Sequence, residues 1–326
     1  MQIRQIRTLS IILAALSLGV SCAGSVCIPL DLKRDSVDAD LICVGRIAVS
    51  KASSRADEKP STLVAEVRID RVLKGDAEPG STIRVTYPYG QQHFFGYDLV
   101  LLKKQGDFHT FSRNECSIPV SDIAYSEYRK SNDAIANLRW EMINSLHSDS
   151  GSVVANAIEQ RGVLSPSDIE EHLRPRTADP DLRVRALALG ACVSAGLDAQ
   201  VVPALETVEK MAADPQTAES GALLALTRDL RRAQLKPSMA DTLAAKLKSG
   251  SVVVRRLASF MLRQAKAESV VPHLKSALND SDSEVRYNAV VGLALVADDK
   301  GHVPSMDKSA EDEQQYIDYW KKWTPK

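Results

Sequence analysis

Asp280-Ser281-Asp282-Ser283-Glu284-Val285-Arg286-Tyr287-Asn288-Ala289 decides the fold of the second half of this chain, because its pattern recurs. Asp179-Pro180-Asp181-Leu182-Arg183-Val184-Arg185-Ala186-Leu187-Ala188-Leu189 has the same acidic opening, the same Val-Arg step and the same Ala after it. A short acidic residue there accepts hydrogen bonds from the free N–H groups of a helix start, and its charge suits the positive end of the helix dipole. The Val and the Ala four residues on share one helix face, and Ala lets two helix backbones approach closely. The acidic run lacks the glycine and the twelfth-position Glu of a calcium loop, so it reads as a helix cap.

The spacing extends outward in both directions. Pairs four apart occur at Val153/Ala157, Val184/Ala188, Ala218/Ala222, Val254/Ala258 and Val285/Ala289, in steps of 31, 34, 36 and 31 residues. Each is followed 13 to 19 residues later by a proline, at 166, 203, 237, 272 and 304, where a second helix can begin without losing a hydrogen bond. Val201-Val202-Pro203-Ala204-Leu205 and Val270-Val271-Pro272-His273-Leu274 repeat this second start, and Val303-Pro304-Ser305-Met306 is a weaker copy. A unit of this length holding two helices predicts an α-solenoid, whose helix pairs bury by stacking a face that none can bury alone.

These units resemble HEAT repeats, especially the short bacterial type. The resemblance implies a right-handed α-solenoid of about five repeats over residues 149–308, with Val184, Arg185, Ala188, Val254, Arg255, Ala258, Val285, Arg286 and Ala289 at its recurring positions. Val154 and Glu219 stand where the other units have Arg. The three arginines read either as an anion-binding ladder or, as in the family, as partners of the acidic loop of an adjacent repeat.

The amino terminus predicts the compartment. Arg4 and Arg7 precede the apolar run from Leu9 to Val20, and Ser21-Cys22-Ala23 offers small residues before a cleavage at Gly24. Residues 1–23 therefore read as a secretory signal, too short and wrongly flanked for a membrane span. The alternative is a lipoprotein, cut before Cys22 and lipidated on it; either way the chain is expected to be exported, periplasmic or secreted. Removing residues 1–23 takes away two of 41 basic residues and none of 42 acidic ones, leaving a net charge of −3, which argues against a nucleic-acid partner.

Residues 24–120 carry a different pattern. Leu41-Ile42-Cys43-Val44-Gly45-Arg46-Ile47-Ala48-Val49 is a buried-strand run, and Leu63 to Leu73 alternates with period two in its latter part. Strands at 82–87, 99–102 and 108–111 follow, separated by short turns. Five or so strands in under a hundred residues predict a small closed barrel, since closure removes exposed strand edges.

Ala39-Asp40-Leu41-Ile42-Cys43-Val44-Gly45, then Val67 to Lys74-Gly75, then Tyr97-Asp98-Leu99-Val100-Leu101-Leu102 and Cys116 resemble the netrin-like, OB-type barrel of tissue inhibitors of metalloproteases. That resemblance implies a disulfide between Cys27 and Cys116. In the inhibitors the mature chain begins with a cysteine whose amine ligates the protease zinc. Here Gly24-Ser25-Val26 would precede Cys27, a departure from that pattern.

Residues 121–148 are predicted to be a linker ending in a helix that caps the first repeat. Residues 309–326 are predicted to be a terminal helix whose stripe of Tyr316, Tyr319, Trp320 and Trp323 plugs the end of the stack. The six histidines show no paired zinc spacing, and there is no phosphate loop or nucleophile elbow, so no catalytic, cofactor or metal residue is expected. Cys43 and Cys192 lie in apolar runs that suit inert buried thiols. The expected function is a non-enzymatic scaffold holding a protein partner, with Glu206, Lys210, His273 and Lys275 on the exposed side of the second helices. A protease-inhibitor-like barrel is the alternative. A lyase, as among some relatives of the short repeats, would need a cytoplasmic tetrapyrrole that export puts out of reach.

Overall fold

The alternation of residues 41–111 is realised as five strands: β1 (Leu41–Val49), β2 (Thr62–Lys74), β3 (Thr82–Pro88), β4 (Tyr97–Gln105) and β5 (Phe108–Phe111). This is a computed structural model, and it describes residues 21–22, 25–26, 31–49, 62–88, 96–112, 117–234, 236–304 and 306–325. The chain divides into two units, Met1–Ser165 and Pro166–Lys326. The expected Cys27–Cys116 bridge lies outside the described residues, as does most of the predicted signal.

In the first unit the strand order β1-β2-β3-β5-β4 returns to β1, so the sheet closes into a five-stranded barrel. All neighbours are antiparallel except β3 and β5, which run parallel with Val85 opposite His109 and Thr86 opposite Thr110. A two-residue strand, β6 (Ile118–Pro119), adds to β4. Leu63, Ala65, Val67 and Ile69 of β2 point inward while Glu66, Arg68 and Asp70 face out. Cys43, Val85, Val100 and Leu102 share the core of Val67 and Ile69. Register shifts between Ile42 and Cys43 and between Val44 and Gly45 kink β1, and a Cβ on Gly45 would lie 2.0 Å from the Arg68 carbonyl oxygen.

Lys74-Gly75 meets the chain leading to Asp40 in space. Helix α1 (Leu32–Asp38) ends against β2, where Lys74 Nζ donates to the carbonyls of Ser36 at 2.9 Å and Val37 at 3.2 Å. Gly75 follows with φ +93°, and a side chain there would meet the Asp40 carbonyl at 2.6 Å. Asp40 in turn accepts from the Lys104 N–H at 3.0 Å.

Residues 121–148 do more than link. Their helix, α2 (Ala134–Leu146), packs against β2: Asn137 Nδ2 donates to the Leu73 carbonyl at 2.7 Å, and Glu141 takes both arms of Arg71 at 3.0 and 2.7 Å. Arg71 also donates to Tyr97 at 3.0 Å and lies over the Trp140 ring. Helix α3 (Gly151–Glu159), expected to open the repeat array, packs on α2 and β6 within this same unit. Its Val154 is buried, which explains why no arginine stands there.

The second unit begins with short helical turns over 166–178 and continues as α4 (Leu182–Ser194), α5 (Val201–Ala213), α6 (Gly221–Arg232), α7 (Ala240–Lys246), α8 (Val252–Gln264), α9 (Val271–Ala277), α10 (Ser283–Ala297) and α11 (Met306–Lys322). First helices stack in order, α4 on α6, α6 on α8 and α8 on α10, with α7 against α8 and α9 against α10. Val184, Ala188, Val254, Ala258, Val285 and Ala289 are all fully buried.

One repeat register is corrected. The helix caps are Ser150, Asp181, Ser220, Ser251 and Asp282, in steps of 31, 39, 31 and 31 residues. Ala218 lies in a turn before its cap, so Leu223, not Ala218, corresponds to Val184, and exposed Leu224, not Glu219, takes the arginine position. The longer step arises because α5 has 13 residues where α7 and α9 have 7. A buried Ala four after any small residue mimics the pattern, and the cap is the firmer marker.

Candidate interaction surface

The recurring arginines are built into the stack by a two-part device. One part is local: Arg255 Nη1 donates to the Ser249 carbonyl at 3.1 Å, Arg286 Nη1 to Asp280 and Ser281 carbonyls at 2.8 and 2.9 Å, and Arg185 Nε to the Asp179 carbonyl at 2.8 Å. The other part reaches the next element. Arg255 grips Asp280 at 2.9 and 3.2 Å, and Arg286 grips Glu313 of α11 at 2.8 Å through both arms. Such planar pairs fix orientation as well as adding attraction.

A neighbouring network escaped the sequence reading. Arg256 takes Asp282 at 2.9 and 2.7 Å and Glu284 at 3.3 Å, and Glu284 also holds Arg231 of α6 at 3.1 Å. Asp282 is the α10 cap, with its Oδ1 accepting from Val285 N–H at 3.1 Å. Burial opposes its ionisation, yet the Arg256 hydrogen bond and the helix-start N–H hold its carboxyl below the ordinary carboxylate range. The spacing of Arg231 from Glu284 spans two repeats, so no local motif announces the pair.

Four surface residues predicted from sequence separate into two groups. Glu206 and Lys210 are exposed on α5, and His273 is partly exposed on α9. Glu206 holds Lys246 of α7 at 3.0 Å, and His273 holds Asp241 of α7 at 3.0 Å, so adjacent second helices are bridged across their outer faces. Lys275 is corrected: its Nζ donates to the Trp323 carbonyl and, at 3.4 Å, to that of Lys321, which ties down the end of α11 and removes it from the free surface. Between α7 and α9 lies an open groove of about 550 Å³ lined by Asp241, Lys248, His273, Asn279 and Asp280 among others.

The terminal helix covers the last repeat. Trp320 is fully buried and its Nε1 donates to the His302 carbonyl at 3.3 Å, while Tyr319 donates to Asp299 at 2.9 Å and stacks on His302. Trp323 meets Trp320 edge to face. The helix starts at Met306, three residues before the predicted boundary.

Burial pushes the Cys43 thiol up to about 12 and the Cys192 thiol up to about 11, which disfavours the nucleophilic thiolate at neutral pH. Among the described residues no cluster of three His, Cys, Asp or Glu side chains is arranged to hold a metal. No helix among them is long and apolar enough to cross a membrane.

Residues 240–318 match the family described as HEAT repeats. No curated protein matches this chain. Two crystal structures of engineered proteins are similar at 18% identity: one with 56% of this chain and 95% of that chain covered at a TM-score of 0.33, the other with 60% and 62% covered at 0.34.

Proposed function

We propose that this chain is an exported, non-enzymatic scaffold that captures a protein partner on the outer faces of its second helices, with a netrin-like barrel carried ahead of them. The observation that supports it best is the continuity of those faces: Glu206 to Lys246 and His273 to Asp241 bridge α5, α7 and α9, with an open groove between the last two. Stacked repeats of this kind offer one extended surface rather than an enclosed pocket. Export rests on residues 1–23, with a lipid anchor at Cys22 as the variant form. The netrin-like reading rests on the sequence resemblance of residues 39–116 and is supported by the closed five-strand order.

The test begins with the amino-terminal residue of the mature protein. Gly24 fits a released scaffold, and a blocked, lipidated Cys22 an anchored one. Partners crosslinked to the full chain in its own cell are then compared between wild type and the combined variant E206K, K210E and H273E. The scaffold reading expects capture to fall while the fold persists. Full capture by that variant, with loss on substitution of exposed barrel residues Arg68 and Asp70, would move the function to the barrel and favour the inhibitor-like alternative.

A further inference from the structure

Arg185 is the recurring arginine whose carboxylate partner is missing. At Arg255 and Arg286 the guanidinium takes a loop carbonyl behind it and a carboxylate ahead of it. At Arg185 the first half is present, with Nε donating to the Asp179 carbonyl at 2.8 Å, and among the described residues the second half is absent. The cause is legible. Arg255 is answered by Asp280, two residues before the next cap, and the equivalent residue ahead of Arg185 is Ala218, two before Ser220. The Asp179 carboxylate offers no substitute, because it already holds Arg176 at 3.1 Å and the Asp181 N–H at 2.9 Å.

The unanswered guanidinium lines an open cavity of about 370 Å³ between the 174–178 turn, α4 and α5. Lys210 lines the same cavity and has no ion-pair partner among the described residues. Thr207 lines it too and is 6% exposed. The one acidic lining residue, Glu206, is held by Lys246 at 3.0 Å. Two cations, one of them a planar fork, thus face one opening.

We propose that this cavity is a docking site for an acidic side chain of the partner protein, an Asp or Glu in an extended segment, which completes the rung that Asp280 and Glu313 complete elsewhere in the stack. The inference rests on the scaffold reading and names the chemistry of its partner. A carboxylate is assigned over a phosphate because both sister arginines take a carboxylate of this chain with two arms, and at Arg185, whose Nε is on the Asp179 carbonyl, the two terminal nitrogens are the pair left for one. Glu206 at the rim favours a singly charged group over a doubly charged one.

The test uses the full mature chain and a fluorescein-labelled hexaglutamate peptide, followed by anisotropy at low and at physiological salt. Wild type is expected to bind it, more tightly at low salt, and to ignore the hexaglutamine peptide. Arg185→Gln and Lys210→Gln are each expected to weaken binding about ten-fold, the effect of losing a charged hydrogen bond. Lys266→Gln, an exposed cation in the turn after α8, is expected to leave it unchanged. Helical melting of each variant separates loss of contact from loss of fold, and Lys210, being exposed, keeps the test decisive if Arg185→Gln unfolds. No binding by wild type, or equal binding by all variants, overturns the site. Tighter binding of a phosphoserine peptide through the same two residues overturns the carboxylate assignment. A chain that ignores the peptide yet loses its partner on H273E keeps the scaffold reading and loses this one; binding of the peptide through Arg185 without any captured partner does the reverse.

Discussion

Gly292→Ala in the middle of α10 is expected to destabilise the helical unit, against the helix propensity of the two residues. Alanine in place of a mid-helix glycine is worth about 1 kcal/mol of stability in an exposed helix. At this position an added Cβ would lie 2.7 Å from Leu274 Cδ1, 2.9 Å from Arg263 Cβ and 3.0 Å from Arg263 Cα. The Leu274 methyl can swing aside. Arg263 Cα cannot, because it belongs to the backbone of α8, so α8 and α10 must separate by a few tenths of an ångström. Overpacking at such a contact costs about 1–3 kcal/mol, and the backbone clash puts it near the upper end, leaving a net loss of about 1–2 kcal/mol. For a unit of this size that corresponds to a melting shift of roughly 2–8 °C, readable from helical ellipticity. Gly221→Ala is the control: it lies in the first turn of α6 with nothing within 4 Å of its Cβ, and it is expected to stabilise. A Gly292→Ala protein as stable as wild type, or more stable, would refute the close approach of α8 and α10.

Ala258→Leu and Ala289→Leu, both at fully buried helix contacts, are each expected to cost about 1–3 kcal/mol, measured by denaturant unfolding; unchanged midpoints would undo the repeat register. The Asp282 carboxyl has a depressed native pKa, so its contribution is present above the unfolded value of about 3.9 and is lost as pH falls through the native one. Asp282→Asn is therefore expected to be less stable near neutrality and to flatten the acid limb below about pH 4, and parallel acid limbs for the two proteins would contradict this. Cys43 and Cys192 are expected to resist alkylation in the native protein and react after unfolding, while peptide mapping without reduction is expected to find Cys27 joined to Cys116. Rapid native labelling of either buried thiol, or free thiols at 27 and 116, would count against these assignments.

Local information was sufficient for much of this molecule. The strands at 41–49 and 108–111 fall where their apolar runs end, because a barrel strand buries one face and its neighbours are turns. The helix starts at Asp181 and Asp282 were legible because a cap is a contact within three residues. Where the sequence misled, the deciding contact was distant. Ala218 and Ala222 share the spacing of Val184 and Ala188, but the extra length of α5 moved the next cap to Ser220, and a spacing rule has no means of registering where the intervening helix stops. The helix at 134–146, expected to cap the first repeat, packs on α3 and also on β2, where Arg71 meets Glu141 seventy residues away, a contact no local periodicity announces. Lys275 looked free because nothing near it in the chain suggests the carbonyls at the end of α11.

By itself the sequence determined the five barrel strands, the helix starts at Asp181 and Asp282, and that the second half is a stack of paired helices, since each of these follows from periodicity and capping over a few residues; helix α1 carried no such signal. Tertiary structure alone decided which arginines are neutralised within the stack and which one is left facing an open cavity. An ion pair between repeats depends on where two loops come to rest, and that position is set by the packing of every helix between them.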